Sequence, residues 1–229
     1  MYKFTCPKGH KSFTQLQEQK FEILFDLGAL ALLDGYAKEA VSTIASSYER
    51  LVEYYIKVIC LSKSISIDNF LKTWKTMSKQ SERQIGAFYI LQLLEQGETK
   101  FILNEKWVNF RNKVIHQGFI PKSEEAMDYG EHILSNVYAI LKELNSKHEE
   151  SIKKANFLRV SCEGEKIGTE VSISTGSMPT IISLRSINSA NFGETTFREA
   201  LNSIRTNGFY KHFYVKGTLR NLPFLKLLF

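Results

Sequence analysis

Three observations predict a mainly α fold: helical spacing of apolar residues over most of the chain, cap and stop residues that divide it into segments, and a change of texture after residue 151. The expected architecture is a bundle of about five helices with a small C-terminal α+β extension. It divides into a short N-terminal segment (1–11), a helical domain (12–150) and a basic extension with short strands and a helix (151–229).

The first helix is expected over 12–34, burying Phe21, Leu24, Leu27, Leu30 and Ala31, with Gly35 as its stop. A longer amphipathic helix follows over 36–61, where Val41, Ile44, Tyr48, Leu51, Tyr55 and Ile59 recur at helical spacing. Ser66 or Asp68 can cap a helix over 66–78 that points Phe70, Leu71, Trp74 and Met77 inward. Ser81 as cap and Gly97 as stop bracket the next, and Asn104 caps another that Gly118 and Pro121 end. Ser123, with Glu124 and Glu125 in the first turn, opens a long helix through Leu144. Beyond it, 166–187 is rich in Ser, Thr, Ile and Val, which makes 180–184 a strand, and 194–206 reads as a final helix. The stretch 222–229 is too apolar to stand in water and is expected to dock on the bundle or on a second copy.

Composition excludes several classes of function. At 43% hydrophobic and 24% charged, the chain is ordinary for a globular protein, and its longest apolar run (24–33) contains Asp26 and falls short of the ~20 residues a spanning helix needs. The start of the chain lacks an apolar stretch after a basic one, so a cytoplasmic protein is expected, with no membrane partner. Cys6, Cys60 and Cys162, odd in number and widely spaced, read as free thiols. The net charge of +6 is unevenly placed: residues 1–150 hold 19 Lys+Arg against 19 Asp+Glu, and 151–229 hold 11 against 5. A basic extension on a neutral domain suits contact with a phosphate backbone, and equally suits a merely solvated surface.

The segment Arg111-Asn112-Lys113-Val114-Ile115-His116 concentrates the chemistry. An imidazole can take the proton of a ribose 2′-hydroxyl or return one to a leaving oxygen, while a guanidinium holds the phosphate and its growing charge. Those two groups suffice for RNA cleavage without a metal. At about 100° per residue, however, positions 111 and 116 lie about 140° apart around a helix, so a compact site is easier to build where two such helices meet across a two-fold axis. Lys113 either contacts the RNA backbone or is a solvated lysine. Glu49 and Glu53 stand on the second helix as candidate acids that pair with Arg111, or as an ordinary surface pair.

The Arg-x4-His spacing, the surrounding WVNFRNKVIHQGFIP (107–121) and the earlier run LFDLGALALLDGYAKEAVSTIASSYERLVEYYI (24–56) resemble the HEPN superfamily over roughly residues 12–150. The resemblance implies a HEPN-like helical domain that dimerises and forms its cleft between protomers. It implies Arg111 and His116 as catalytic residues, Asn112 as the polar residue that orients His116 or binds phosphate, and Glu49 as an orienting acid. It also implies a metal-independent endoribonuclease acting on tRNA or mRNA, in the setting of a prokaryotic toxin or antiviral defence effector restrained by an antitoxin or defence-system partner. The alternative is a non-catalytic HEPN-like dimer module that binds RNA or a protein.

No cofactor is expected. Cys6-Pro7-Lys8-Gly9-His10 resembles half of a zinc ribbon, but a tetrahedral site needs four ligands. Closure would require Cys60, Cys162, a distant His or a second protomer, and a plain turn is the simpler reading. His132, His148 and His212 share no ligand or triad spacing. With no Gly-rich phosphate loop, hydrolysis of the P-loop kind is excluded.

Overall fold

The 26 residues of the long second helix set the architecture, because apolar side chains occur on more than one of its faces and all of them need cover. The computed structural model describes residues 2–164 and 172–206. The chain begins with strands β1 (Tyr2–Thr5) and β2 (Lys11–Leu16), followed by helices α1 (Lys20–Leu33), α2 (Ala37–Ser62), α3 (Ile67–Met77), α4 (Ser81–Gln96), α5 (Glu105–His116) and α6 (Ser123–Gly164). Strand β3 (Ser172–Gly176), a 3-10 turn (Leu184–Ser186) and helix α7 (Phe197–Thr206) complete it. The protein is mainly helical with one small sheet, and among the described residues no helix is long and apolar enough to cross a membrane.

Helix α2 buries Ala40, Val41, Ile44, Tyr48, Leu51, Tyr55 and Ile59, and it is packed by α1, α3, α4, α5 and α6. Its closest neighbour is α1, where Gly28 admits the crossing: a Cβ there would press on the Ile44 side chain and the Ala40 carbonyl. Gly130 of α6 plays the same part for α7, since a Cβ would occupy the place of the Phe197 ring, which meets Phe25 edge-on at 5.4 Å. Helix α6 kinks at His148 (φ −137°, ψ 32°), whose Nε2 lies 3.3 Å from the Glu95 carboxylate of α4.

Several boundaries differ from the sequence expectation. Residues 11–16 form a strand rather than the start of α1: alternating KSFTQL pairs antiparallel with β1 and parallel with β3, giving the order β1-β2-β3. Six helices span 20–164, one for each segment that the caps and stops delimit and one more than the overall count of about five, and α6 continues to Gly164, well past the texture change at residue 151. Ser66 and Asn104 cap α3 and α5 by accepting the Asn69 and Lys106 amides, as expected. Ser81, however, is the first helical residue of α4, and Gln80 is the cap. Leu71 points outward, 49% exposed. Helix α7 begins at Phe197, three residues later than expected. The apolar stretch 222–229, His212 and the last basic residues lie outside the described residues.

The expected strand over 180–184 is absent for a clear reason. Its backbone is engaged by carboxylates, not by a neighbouring strand. Glu18 accepts the Met178 amide at 2.9 Å, Asp26 the Ile181 amide at 2.9 Å, and Glu22 the Leu184 amide at 2.8 Å. All three acids are buried, and their spacing of four residues stacks them along one side of α1 and the turn before it. The acids thus fasten the C-terminal segment to the bundle.

Burial pushes the Glu22 carboxyl up to about 7, against the opposing pull of the Leu184 and Gln19 amides that donate to it. Because this lies above the ordinary 4.5, the protonated carboxyl supports the fold fully below pH 4.5, and that support is lost as the pH rises to 7. The thermal midpoint of Glu22→Gln should therefore decline less steeply between pH 4.5 and 7 than that of the wild type. Parallel slopes in a melting series would contradict this placement.

Candidate functional site

Helix α5 starts at the Asn104 cap and buries only Val114 completely, so it is a surface helix laid against α2 and α6. Trp107 and Phe110 hold it in place: Trp107 packs on Tyr129 at 6.0 Å and stacks on the His132 ring at 5.6 Å, and Phe110 packs on Tyr129 at 5.7 Å. Its end is set by Gly118 (φ 70°), which lets the Phe119 amide return to the Lys113 carbonyl at 3.1 Å.

This packing turns Arg111 toward α2. Its Nη2 donates to Glu49 Oε1 at 2.6 Å, and its Nη1 donates to Asn112 Oδ1 at 3.0 Å. The two charged side chains are 23% and 25% exposed, so the pair is partly screened by protein and still reached by solvent. A guanidinium has five N–H donors, so Arg111 keeps donors for a ligand after making both bonds. Asn112 holds the guanidinium, and among the described residues no hydrogen bond links it to the imidazole of His116. Glu53 turns away and pairs with Arg50 at 2.6 Å, while Arg50 also reaches Gln84 of α4 at 3.4 Å.

Arg111 and Asn112 stand at a cleft of about 450 Å³ between α2, α4 and α5. Tyr48, Glu49, Tyr89, Trp107 and Tyr129 also line it, and so does the first turn of α4 at Ser81 and Glu82. Its size lies in the range of small-molecule sites. Tyr48 is 3% exposed and its hydroxyl has no hydrogen-bond partner among the described residues, an arrangement that costs about 1–3 kcal/mol. Burial, reinforced by the neighbouring Tyr89 and Tyr129 phenols, pushes the Tyr48 phenol well above its ordinary 10. Burial does the same to Tyr129, with Arg111 opposing. Both phenols are protonated throughout the physiological range.

His116 is elsewhere. It is the last residue of α5, exposed, and does not line the cleft. The structure brings Arg111, Asn112 and Glu49 together and leaves His116 and the exposed Lys113 outside that group. His132 is the imidazole packed against α5. Burial, aided by the Lys106 ammonium, lowers its pKa, so it is neutral at physiological pH.

At the N-terminus, residues 6–10 form the turn between β1 and β2, with Gly9 at φ 82° and the Cys6 amide bonded to the His10 carbonyl at 3.0 Å. Cys6 Sγ and His10 Nδ1 are 3.5 Å apart, and among the described residues no third Cys, His, Asp or Glu joins them in a metal-binding group. Cys60 is half-buried on α2, and burial raises its thiol pKa.

The aromatic lining of the cleft was not picked out in the sequence. Tyr48 read there as a core residue at helical spacing, Trp107 only as the first residue of the stretch around the motif, and Tyr89 and Tyr129 as unremarked helix positions. Only the crossing of α2, α4 and α5 brings them together. No family model, curated protein or solved structure matches this chain.

The Arg111 to Glu49 contact should show measurable coupling because both groups are three-quarters covered. A double-mutant cycle with Glu49→Ala and Arg111→Ala, read by urea unfolding, is expected to give roughly 0.5–1 kcal/mol, at the upper end of exposed pairs. Additive effects of the two substitutions would show that the pair is not formed in solution.

Proposed function

We propose that this chain is a metal-independent endoribonuclease of the HEPN type that acts as a homodimer. The observation that carries the reading is the arrangement on α5: Arg111 is oriented by Glu49 and Asn112 at the edge of a cleft, and His116 is exposed at the end of the same helix.

In this reading the 2′-hydroxyl beside the scissile bond attacks phosphorus. One imidazole accepts the hydroxyl proton or protonates the leaving 5′-oxygen, leaving a 2′,3′-cyclic phosphate and a 5′-hydroxyl. Arg111 donates to the non-bridging oxygens as charge builds on them. The exposed, outward His116 serves the cleft of the second protomer, so that each site combines Arg111 of one chain with the partner's His116. Phe119 and Ile120, 40% and 76% exposed just past the motif, supply apolar surface for that contact. The setting is that of a toxin or antiviral effector in the cytoplasm, with tRNA or mRNA as substrate and an antitoxin or defence-system partner holding it in check.

One observation favours a non-catalytic RNA- or protein-binding dimer instead. Arg111 is already engaged by a carboxylate, which makes the pair electrically neutral and its separation from His116 of no consequence to a scaffold.

Cleavage of total RNA and labelled tRNA in EDTA separates the two. The nuclease reading expects cutting by the wild type with cyclic-phosphate ends, and a loss of ~10² or more in rate for His116→Ala and for Arg111→Ala. Wild type and both variants alike in failing to cut, while binding RNA equally, would move the assignment to the binding module.

A further inference from the structure

The sequence of α7, FREALNSIRT, divides into two faces. Phe197, Ala200, Leu201 and Ile204 are buried against the bundle, whereas Arg198 and Arg205, seven residues apart and so on one side of the helix, are exposed. Both line a cleft of about 280 Å³ between the end of α1, the start of α6 and α7, which shares no residue with the cleft at Arg111. Leu33 and Met127, both half-buried, are the apolar side chains that it leaves open. Among the described residues neither arginine forms an ion pair, not even with Glu124 at the cleft edge. The other acids close by in the chain are engaged: Glu199 accepts the Thr196 amide and hydroxyl ahead of α7, and Glu125 accepts the Lys122 amide ahead of α6.

A cleft of this size falls just under the range of small-molecule sites and suits a single large side chain. Two guanidiniums at its rim call for two carboxylates, and the ~10 Å that separates positions seven apart on one helix is matched by the same spacing on a second helix laid alongside. The chain beyond α7 does not bring that charge: residues 207–229 hold Lys211, Lys216, Arg220 and Lys226 and no Asp or Glu. From these features we infer that the cleft between α1, α6 and α7 docks an acidic amphipathic helix of a partner protein, with an apolar residue set on Leu33 and Met127 and carboxylates at Arg198 and Arg205. The open apolar floor is what favours a protein segment over a nucleic-acid backbone, which would meet the cations and leave the floor uncovered. The inference does not rest on the nuclease reading, since no residue of α5 takes part in it.

The test is fluorescence anisotropy of the full chain with a labelled, alanine-rich peptide of about 18 residues, long enough to hold a helix, that carries two glutamates seven residues apart and leucines between them. Two controls replace its glutamates by lysine or its leucines by glutamine. The acidic peptide should bind, and each control should bind about tenfold more weakly or not at all. Arg198→Ala and Arg205→Ala should each weaken the acidic peptide about threefold to tenfold. The double variant Arg198→Glu/Arg205→Glu should lose the acidic peptide and take up the lysine one, at an unchanged thermal midpoint because both side chains are exposed. That reversal of preference is something a folding defect would not produce. Failure of the acidic peptide to bind, binding that ignores both arginines, or equal binding of the lysine peptide would overturn the inference. Displacement of the peptide by a single-stranded oligonucleotide that itself needs both arginines would overturn it in favour of a phosphate backbone. A change of oligomeric state in the double variant would overturn it in favour of a second copy of this chain.

Discussion

The enclosure of α2 is the constraint on which the rest of the structure depends. A helix of 26 residues with Val52, Val58 and Leu51 all at 0% exposure has to be covered from several directions. Burial of that many large side chains, at about 1.5–3 kcal/mol each, dominates any single polar contact in the protein. Helices α1 and α6 take the largest shares, and α4 and α5 close the remaining sides. The cleft is what remains where α4 and α5 diverge over the Tyr48 turn of α2. The same turn presents Glu49, so the acid that orients Arg111 and the wall of the cavity come from adjacent residues of one rigid element.

That placement has a consequence for the chemistry. Because α5 is a regular helix capped at Asn104, the orientation of Arg111 toward α2 fixes His116 about 140° around the axis and one and a half turns further on. The imidazole is not among the residues that line the cleft Arg111 borders. A single chain therefore has the guanidinium at a cleft in one place and an exposed imidazole, outside the cleft lining, in another. A second copy is the most economical way to unite them, and the exposed Phe119 and Ile120 lie next to the imidazole in sequence.

What could be read in the sequence and what could not follow a physical division. Local signals were legible: the apolar period of α2, the Ser66 and Asn104 caps, and the stops at Gly97 and Gly118, all decided within a few residues. Features decided by partners distant in the chain were not. Residues 12–16 have a strand's alternation and pair with β1 close by, but their second ladder partner is at 172–176, and residues 180–184 have a strand's composition, yet the Met178, Ile181 and Leu184 amides go to carboxylates on and before α1. In the site, RNKVIH and the acidic Glu49 stood out by residue type. The phenol and indole lining did not, because aromatic residues at helical spacing look the same whether they fill a core or border a cavity.

The central claim is that Arg111 and His116 act together only across a dimer. Subunit mixing tests it most directly: Arg111→Ala and His116→Ala homodimers, each inactive, are combined under conditions that exchange subunits, and RNA cleavage is followed. If the site is shared, a mixed dimer rebuilds one intact site from the Arg111 of one chain and the His116 of the other, and activity returns to about half that of the wild-type dimer per mixed dimer. Continued inactivity after exchange has been verified would contradict a shared site and with it the proposed division of labour on α5.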